Sequence, residues 1–169
     1  MGKLSCAIDT SAAISLGSTS KFQLATMHFL FISTNRVKKE LIEISKTTDE
    51  LGKIANNILQ SHLIKFINLE ENLQSSKGEI EVINLADKLN ADLVLMDDIQ
   101  ARNKFQKQCN SPIRFSPFII FLLYERNMLT YNEGWSAIEK MKTKREWKEN
   151  LIIEYAKQLF DIKVKKLAQ

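Results

Sequence analysis

Five acidic residues, Asp9, Glu40, Glu79, Asp97 and Asp98, stand out for where the apolar pattern puts them. Asp9 follows the apolar run Leu4–Ile8, and Asp97 and Asp98 follow Leu93–Met96. The unbroken run Leu93–Met96 suits a central strand covered on both faces, and in an open parallel sheet functional groups gather beyond the carboxyl ends of the strands. Glu40 falls between Val37, Leu41 and Ile44, which recur at helical spacing, so it sits on the edge of a face to be buried. Glu79 lies three and four residues before Val82 and Ile83 and opens the inward face of its own helix. An inward carboxylate requires a partner, because burying an unpaired charge is expensive. No matching inward Lys or Arg is evident, and a divalent cation is the natural partner. Each residue also has a structural reading. Asp9, Thr10 or Ser11 can cap the helix that follows, as can Asp97 or Asp98. Ser76-Lys77-Gly78-Glu79 has the form of a capping box, and Glu40 can lie on the solvent boundary. Singly those readings are the simpler ones; four acids at two strand ends and two helix faces together favour a site.

Other chemistries find little support. His28 and His62 have no obvious partner and read as structural. Cys6 and Cys109 cannot build a disulfide framework, and no Cys/His spacing suits zinc. Oxygen-only ligands select hard ions, which makes Mg²⁺ or Mn²⁺ the expected cofactor. The net charge of +4 is unevenly placed: residues 140–169 hold nine Lys/Arg against four Asp/Glu, and the rest of the chain is near neutral. A basic face can hold a polyanion, although lysines also serve to solubilise a terminal helix. The apolar run Phe115–Tyr124 is far shorter than the roughly 20 residues of a spanning helix, and no apolar signal core follows Met1. A cytoplasmic, membrane-free protein is expected.

The elements that must position the acids alternate. Strands are expected at Leu4–Ile8, Phe29–Ile32, Ile64–Asn68, Leu93–Met96 and Ile113–Phe115. Helices are expected around Ala12–Leu16, from Asn35 through Ile44, over Leu51–Leu59, from Lys77 to Asn90, and from Asp98 to about Lys107. That order predicts an α/β fold in three layers, a mainly parallel sheet of about five strands flanked by helices. Beyond it the chain reads as helical: Phe118–Tyr124 is apolar on every side, and the stripes Tyr131/Trp135/Ile138/Met141 and Leu151/Tyr155/Leu159/Ile162 repeat at helical spacing. Residues 1–127 are expected to form the main domain and 128–169 a helical extension packed on it. Trp135 and Trp147 could stack on bases, but on amphipathic helices they read as core.

Four blocks in this order resemble the PIN-domain family of metal-dependent nucleases. Cys6-Ala-Ile-Asp-Thr-Ser-Ala-Ala-Ile is similar to the family's opening strand with its first acid, Asp9. Phe31-Ile-Ser-Thr-Asn-Arg-Val-Lys-Lys-Glu-Leu is similar to the second block, with its acid at Glu40. Gly78-Glu79-Ile80-Glu81-Val82-Ile83 resembles the third, with Glu79 the match and Glu81 the runner-up. The strand ending Met96-Asp97-Asp98 resembles the fourth, and Ile113-Arg114-Phe115-Ser116 the final strand with its polar residue. Asn90 stands where the family usually has Gly, and Met96 where it often has a small hydroxyl residue. Asn can still take up the left-handed conformation.

The resemblance implies an endoribonuclease hydrolysing RNA phosphodiesters with Mg²⁺ or Mn²⁺. Asp9, Glu40, Glu79 and Asp97 would be catalytic, the same four with Asp98 would bind metal, and Ser11 and Ser116 would support them. Such ions bind phosphate oxygens, activate water and stabilise the leaving oxygen. Lys38, Lys39, Arg102, Lys104 and Arg114, close in sequence to the acids, are the RNA-binding candidates, with ordinary solvated surface as the alternative. A homodimer, a toxin of the VapC type with a small antitoxin partner, and a processing nuclease are all compatible with this site. The rival is a PIN-like RNA- or protein-binding module with weak or lost catalysis. A receiver domain would want its acidic pair after the first strand, and a haloacid-dehalogenase-type phosphatase a second Asp where Ser11 stands. Glu81, placed off the inward face, is expected to tolerate conversion to Gln.

Overall fold

The computed structural model describes residues 2–75, 77–147 and 151–167, with side chains described as far as residue 162. The chain runs β1 (Leu4–Ile8), α1 (Thr10–Gly17), α2 (Lys21–Ala25), β2 (Phe29–Thr34), α3 (Asn35–Ser45), α4 (Glu50–Ser61), β3 (Ile64–Ile67), α5 (Gly78–Leu89), β4 (Leu93–Leu95), α6 (Ile99–Phe105), β5 (Ile113–Arg114), α7 (Pro117–Glu125), α8 (Tyr131–Lys144) and α9 (Leu151–Leu167). The five strands form one sheet, ordered β3-β2-β1-β4-β5, and every pairing is parallel. After β3 the chain must return past β2 and β1 to reach β4. It does so through α5, which lies across β1, β2 and β4, while α4 packs on α1 and α3. The strand order therefore reverses around β1, and the carboxyl ends of β1 and β4 flank the crevice that such a reversal opens.

Several boundaries differ from the expected ones for identifiable reasons. β2 continues through Ser33 and Thr34, both fully buried. The Ser33 hydroxyl donates to Ile8 O at 2.6 Å, and Thr34 caps α3 by accepting from Val37 N. Polar residues with such internal partners hide a strand end from an apolar pattern. The five-residue helix α2 and a 3-10 turn at Glu71–Leu73 are too short to show helical periodicity. Asn90 closes α5 at φ 48°, the left-handed conformation expected of it, and His62 closes α4 in the same way at φ 52°. The cap of α5 is Lys77, without a side-chain hydrogen bond; the Ser76 end of the expected capping box lies outside the described residues.

The C-terminal stripes hold in part: Ile138 and Met141 are buried and Trp135 and Leu159 pack against the core, but the outer members are corrected. On α8 the buried residues are Gly134, Ala137, Ile138 and Met141, whereas Tyr131 is 40% exposed. On α9 the inward face is Ile152, Ile153, Ala156 and Phe160, and the expected anchors Leu151 and Ile162 are 59% and 51% exposed. The apolar arc of α9 is wide enough to hold two overlapping stripes, so periodicity could not choose between them. Phe160 made the choice. Its ring stacks on Tyr124 at 5.2 Å and meets Phe121, Tyr131 and Trp135 edge-on. Gly134 leaves the space, since a Cβ there would stand 3.0 Å from that ring. α7 packs on both α8 and α9, and residues of all three belong to the same hydrophobic core as the sheet.

Candidate active site

Asp9 follows β1 and serves two purposes. Its Oδ1 accepts from Ala12 N at 2.7 Å and so caps α1, and its two carboxylate oxygens also take the Ser11 hydroxyl at 2.9 and 2.8 Å. The capping and the functional readings of Asp9 are therefore compatible. The same Ser11 hydroxyl accepts from Asp97 N at 3.0 Å, tying the end of β1 to the end of β4. Asp97 is held from the other side by Ser116, whose N and Oγ donate to Oδ1 and Oδ2 at 2.7 and 2.6 Å. Met96 turns into the core instead, and the hydroxyl that supports the acid comes from beyond β5.

Both aspartates are nearly inaccessible, at 6% and 7% exposure. Burial raises the carboxyl of Asp9 to about 7, with the charge of Asp97 adding to the rise and the Ala12 amide and Ser11 opposing it. Asp97 is also raised by burial, against the donors of Ser116. Arg145, at the end of α8, lowers both carboxyls through its charge. This basic residue was not found from sequence, because it lies 48 residues beyond Asp97 and only the docking of α8 brings it near.

Glu40 and Glu79 face the same place from two helices. Asp9, Thr10, Ser11, Glu40, Gly78, Glu79 and Asp98 line a cleft of about 130 Å³. Glu40 accepts from the Thr10 hydroxyl and from Arg36 Nε at 3.3 Å, so the expectation of no basic partner is corrected by the i, i+4 geometry of α3. α5 starts directly against it: a Cβ on Gly78 would stand 2.7 Å from Glu40 Oε1. Asp98 caps α6 through Ala101 N at 2.8 Å and is exposed at the cleft rim. Asp97 is not part of this lining and is linked to it through Ser11. Glu81 requires a correction. It is buried at 7% exposure, accepts from Ser75 N at 2.9 Å and borders a separate cleft with Arg36, Lys39 and Gln74. A helix start with acids two residues apart turns them to different sides, and the loop before α5 covers the second one.

The basic candidates divide between the two edges of the sheet. Lys38 and Lys39 are exposed on α3, with Lys38 over the Phe66 ring near β3. Arg102 and Lys104 on α6 and Arg114 on β5 lie at the opposite edge. A larger cavity of about 440 Å³ lies between α2 and α8, but its lining has a single acid, Glu133, which caps α8 and brings no convergent chemistry.

Among the described residues no three of the acids close on one point as a finished ligand set. Asp98 and Asp9 are engaged at helix caps and Glu40 at Arg36. The donors nevertheless suit a hard cation: all are carboxylate or hydroxyl oxygens, and Asp9 is short of positive charge next to Asp97.

An all-parallel five-stranded sheet with carboxylates at its reversal point defines an α/β protein with an acidic site at the carboxyl ends of its strands. A family model described as a PIN domain, DUF3368, matches residues 5–161, and the chain belongs to the PIN-domain family. The matched stretch includes α8 and most of α9. PIN domains are generally nucleases that use divalent metals and bind nucleic acid. No curated protein matches the chain. Among the described residues no helix is long and apolar enough to cross a membrane.

Proposed function

We propose that the protein is a Mg²⁺- or Mn²⁺-dependent endoribonuclease. The carrying observation is the pair of buried aspartates, Asp9 and Asp97, bridged by Ser11 at the adjoining ends of β1 and β4, with Glu40 and Glu79 over the same cleft. Asp9, Glu40, Glu79 and Asp97 would hold the metal, with Asp98 at the rim. The ion would polarise a phosphate oxygen and lower the pKa of water. The protein's own groups do the rest. Ser11 and Ser116 aim the two aspartates and, by donating to them, favour their ionised forms against the effect of burial, Arg145 offsets part of their mutual repulsion, and Gly78 lets α5 start directly against Glu40. The five cations flank the acids on both sides. A single strand laid across the carboxyl ends of five strands would cover roughly 19 Å, passing from Lys38 and Lys39 over the acids to Arg102, Lys104 and Arg114.

A second reading has one observation in its favour: Arg36 and Arg145 already supply positive charge to the acids, as a binding module without catalysis would require. Assembly belongs to the proposal too. The exposed Leu151 and Ile162 on α9 suit a homodimer with paired sites, or a small antitoxin protein partner in a cytoplasmic toxin–antitoxin pair. Purified protein with single-stranded RNA is the test. Cleavage is expected with Mn²⁺ or Mg²⁺, is expected to stop with EDTA, and is expected to fall about 100-fold or more in Asp97→Asn. Full activity in metal-free buffer overturns the metal dependence, and RNA retention without cleavage under either ion supports the binding module.

A further inference from the structure

Beside the acid cleft, three donors from three different elements gather around two aromatic rings, Phe115 and Phe118. The Arg102 guanidinium of α6 lies 4.7 Å from the centroid of Phe115, and the Tyr155 ring of α9 meets the same Phe115 edge-on at 5.5 Å. Arg114, the residue before Phe115, extends over Phe118 at 5.8 Å. Their hydrogen bonding is incomplete. Among the described residues, Arg102 Nε and the Tyr155 hydroxyl are buried without a partner. Arg114 Nη1 reaches, among the described residues, only the carbonyl of its neighbour Ile113, at 3.1 Å. Among the described residues no carboxylate pairs with either guanidinium. Two half-buried cations next to an unsatisfied hydroxyl, with no anion between them, leave a place that an anion would complete.

Its position is equally specific. Arg102 N bonds Asp98 O at 2.9 Å, one turn from the cleft rim, and Arg114 precedes by two residues the Ser116 that holds Asp97. We propose that Arg102, Arg114 and Tyr155 form a subsite for one backbone phosphate of a nucleic-acid strand, next to the acid cleft and not over it. The inference rests on the nuclease reading for the identity of its ligand, and it assigns to α9 a part in binding. The phenol is suited to donate. Burial pushes its pKa up to about 12 even though both arginines pull it down, so at neutral pH it keeps its proton and, among the described residues, that donor has no acceptor. Stacking on Phe115 and Phe118 holds the two guanidinium planes in place, which favours planar recognition of phosphate oxygens.

The experiment is fluorescence anisotropy of a labelled single-stranded oligouridylate bound to the full chain in EDTA, over a series of salt concentrations. Arg102→Gln and Arg114→Gln should each weaken binding about tenfold and reduce the slope of log affinity against log salt by about 0.7. Tyr155→Phe keeps the ring and the fold; it should weaken binding about fivefold with the slope unchanged. Lys3→Gln, at the amino end of the sheet, should change little. Wild-type binding by the Arg variants or by Tyr155→Phe overturns the subsite, as does an equal loss in Lys3→Gln, which would mean diffuse attraction alone. Displacement of the oligouridylate by an equal concentration of inorganic phosphate would make it a site for free phosphate and also overturn it. The two proposals fail separately. A chain that binds through these residues yet never cleaves with Mn²⁺ keeps the subsite and loses the nuclease, and a nuclease indifferent to them does the reverse.

Discussion

At the scale of residues, an acid's partner decides its contribution more than its position in a motif. Glu81 and Glu79 stand on the same first turn of α5, yet Glu81 is spent on the Ser75 amide while Glu79 opens to the cleft. Glu81→Ala is expected to destabilise the protein by about 1–3 kcal/mol, read as a shift in the urea midpoint, because the Ser75 amide loses its acceptor. The cleavage rate per folded molecule should be unchanged. Asp92 gives one separable component of the pH dependence. Its carboxylate accepts the Ser5 N and Oγ, both at 2.8 Å, and these bonds hold its pKa below the ordinary 3.8. A folded pKa depressed in this way contributes stability above the unfolded value and loses it as pH falls through the folded one. The stability gap between wild type and Asp92→Asn should therefore be present at pH 6 and close below about pH 3.8 in urea titrations. A gap that stays constant into acid would remove the Ser5 interaction as its source.

At the scale of elements, α9 shows how an apolar arc is resolved. Phe160→Ala should cost about 3–5 kcal/mol, since it empties a space enclosed by Phe121, Tyr124, Tyr131 and Trp135. Leu151→Ala, at an exposed position of the same helix, should stay within about 0.5 kcal/mol. Equal losses in chemical denaturation would mean that α9 docks by its other stripe. The register of α9 also has a bearing on binding, because Ala156 and Phe160 inward leave Tyr155 turned to Phe115 and the two arginines.

At the scale of the whole molecule, the C-terminal helices and the sheet share one core. Ala137, Ile138, Met141, Ile153, Ala156 and Phe160 are buried in it, and each large side chain contributes about 1.5–3 kcal/mol by burial. Truncation after Asn127 would also expose the faces of α7 that α8 and α9 cover, so the shortened chain is expected to be insoluble and to show no cooperative melting transition. A soluble, active fragment would separate the nuclease from its helices. A homodimer is expected in sedimentation, and a monomer throughout the micromolar range would leave the helices as a cap on this chain alone.

The amino-acid sequence by itself determined the alternation of strands and helices, the strand ends that carry Asp9 and Asp97, and the helices that carry Glu40 and Glu79. These follow from local periodicity and from the rule that loops at the carboxyl ends of parallel strands bear the chemistry. Ser11, close to Asp9, and Ser116, through the resemblance of the final strand, were also legible. Tertiary structure alone decided what is set by contacts between distant segments: Ser11 joining Asp9 to Asp97, Arg145 reaching both, Glu81 closing on Ser75, Phe160 choosing the face of α9, and Tyr155 meeting Arg102 around Phe115. Periodicity assigns a residue to one side of its own helix, but a wide apolar arc or a first helical turn offers several sides. Only the neighbouring element, by filling space or supplying a donor, selects among them.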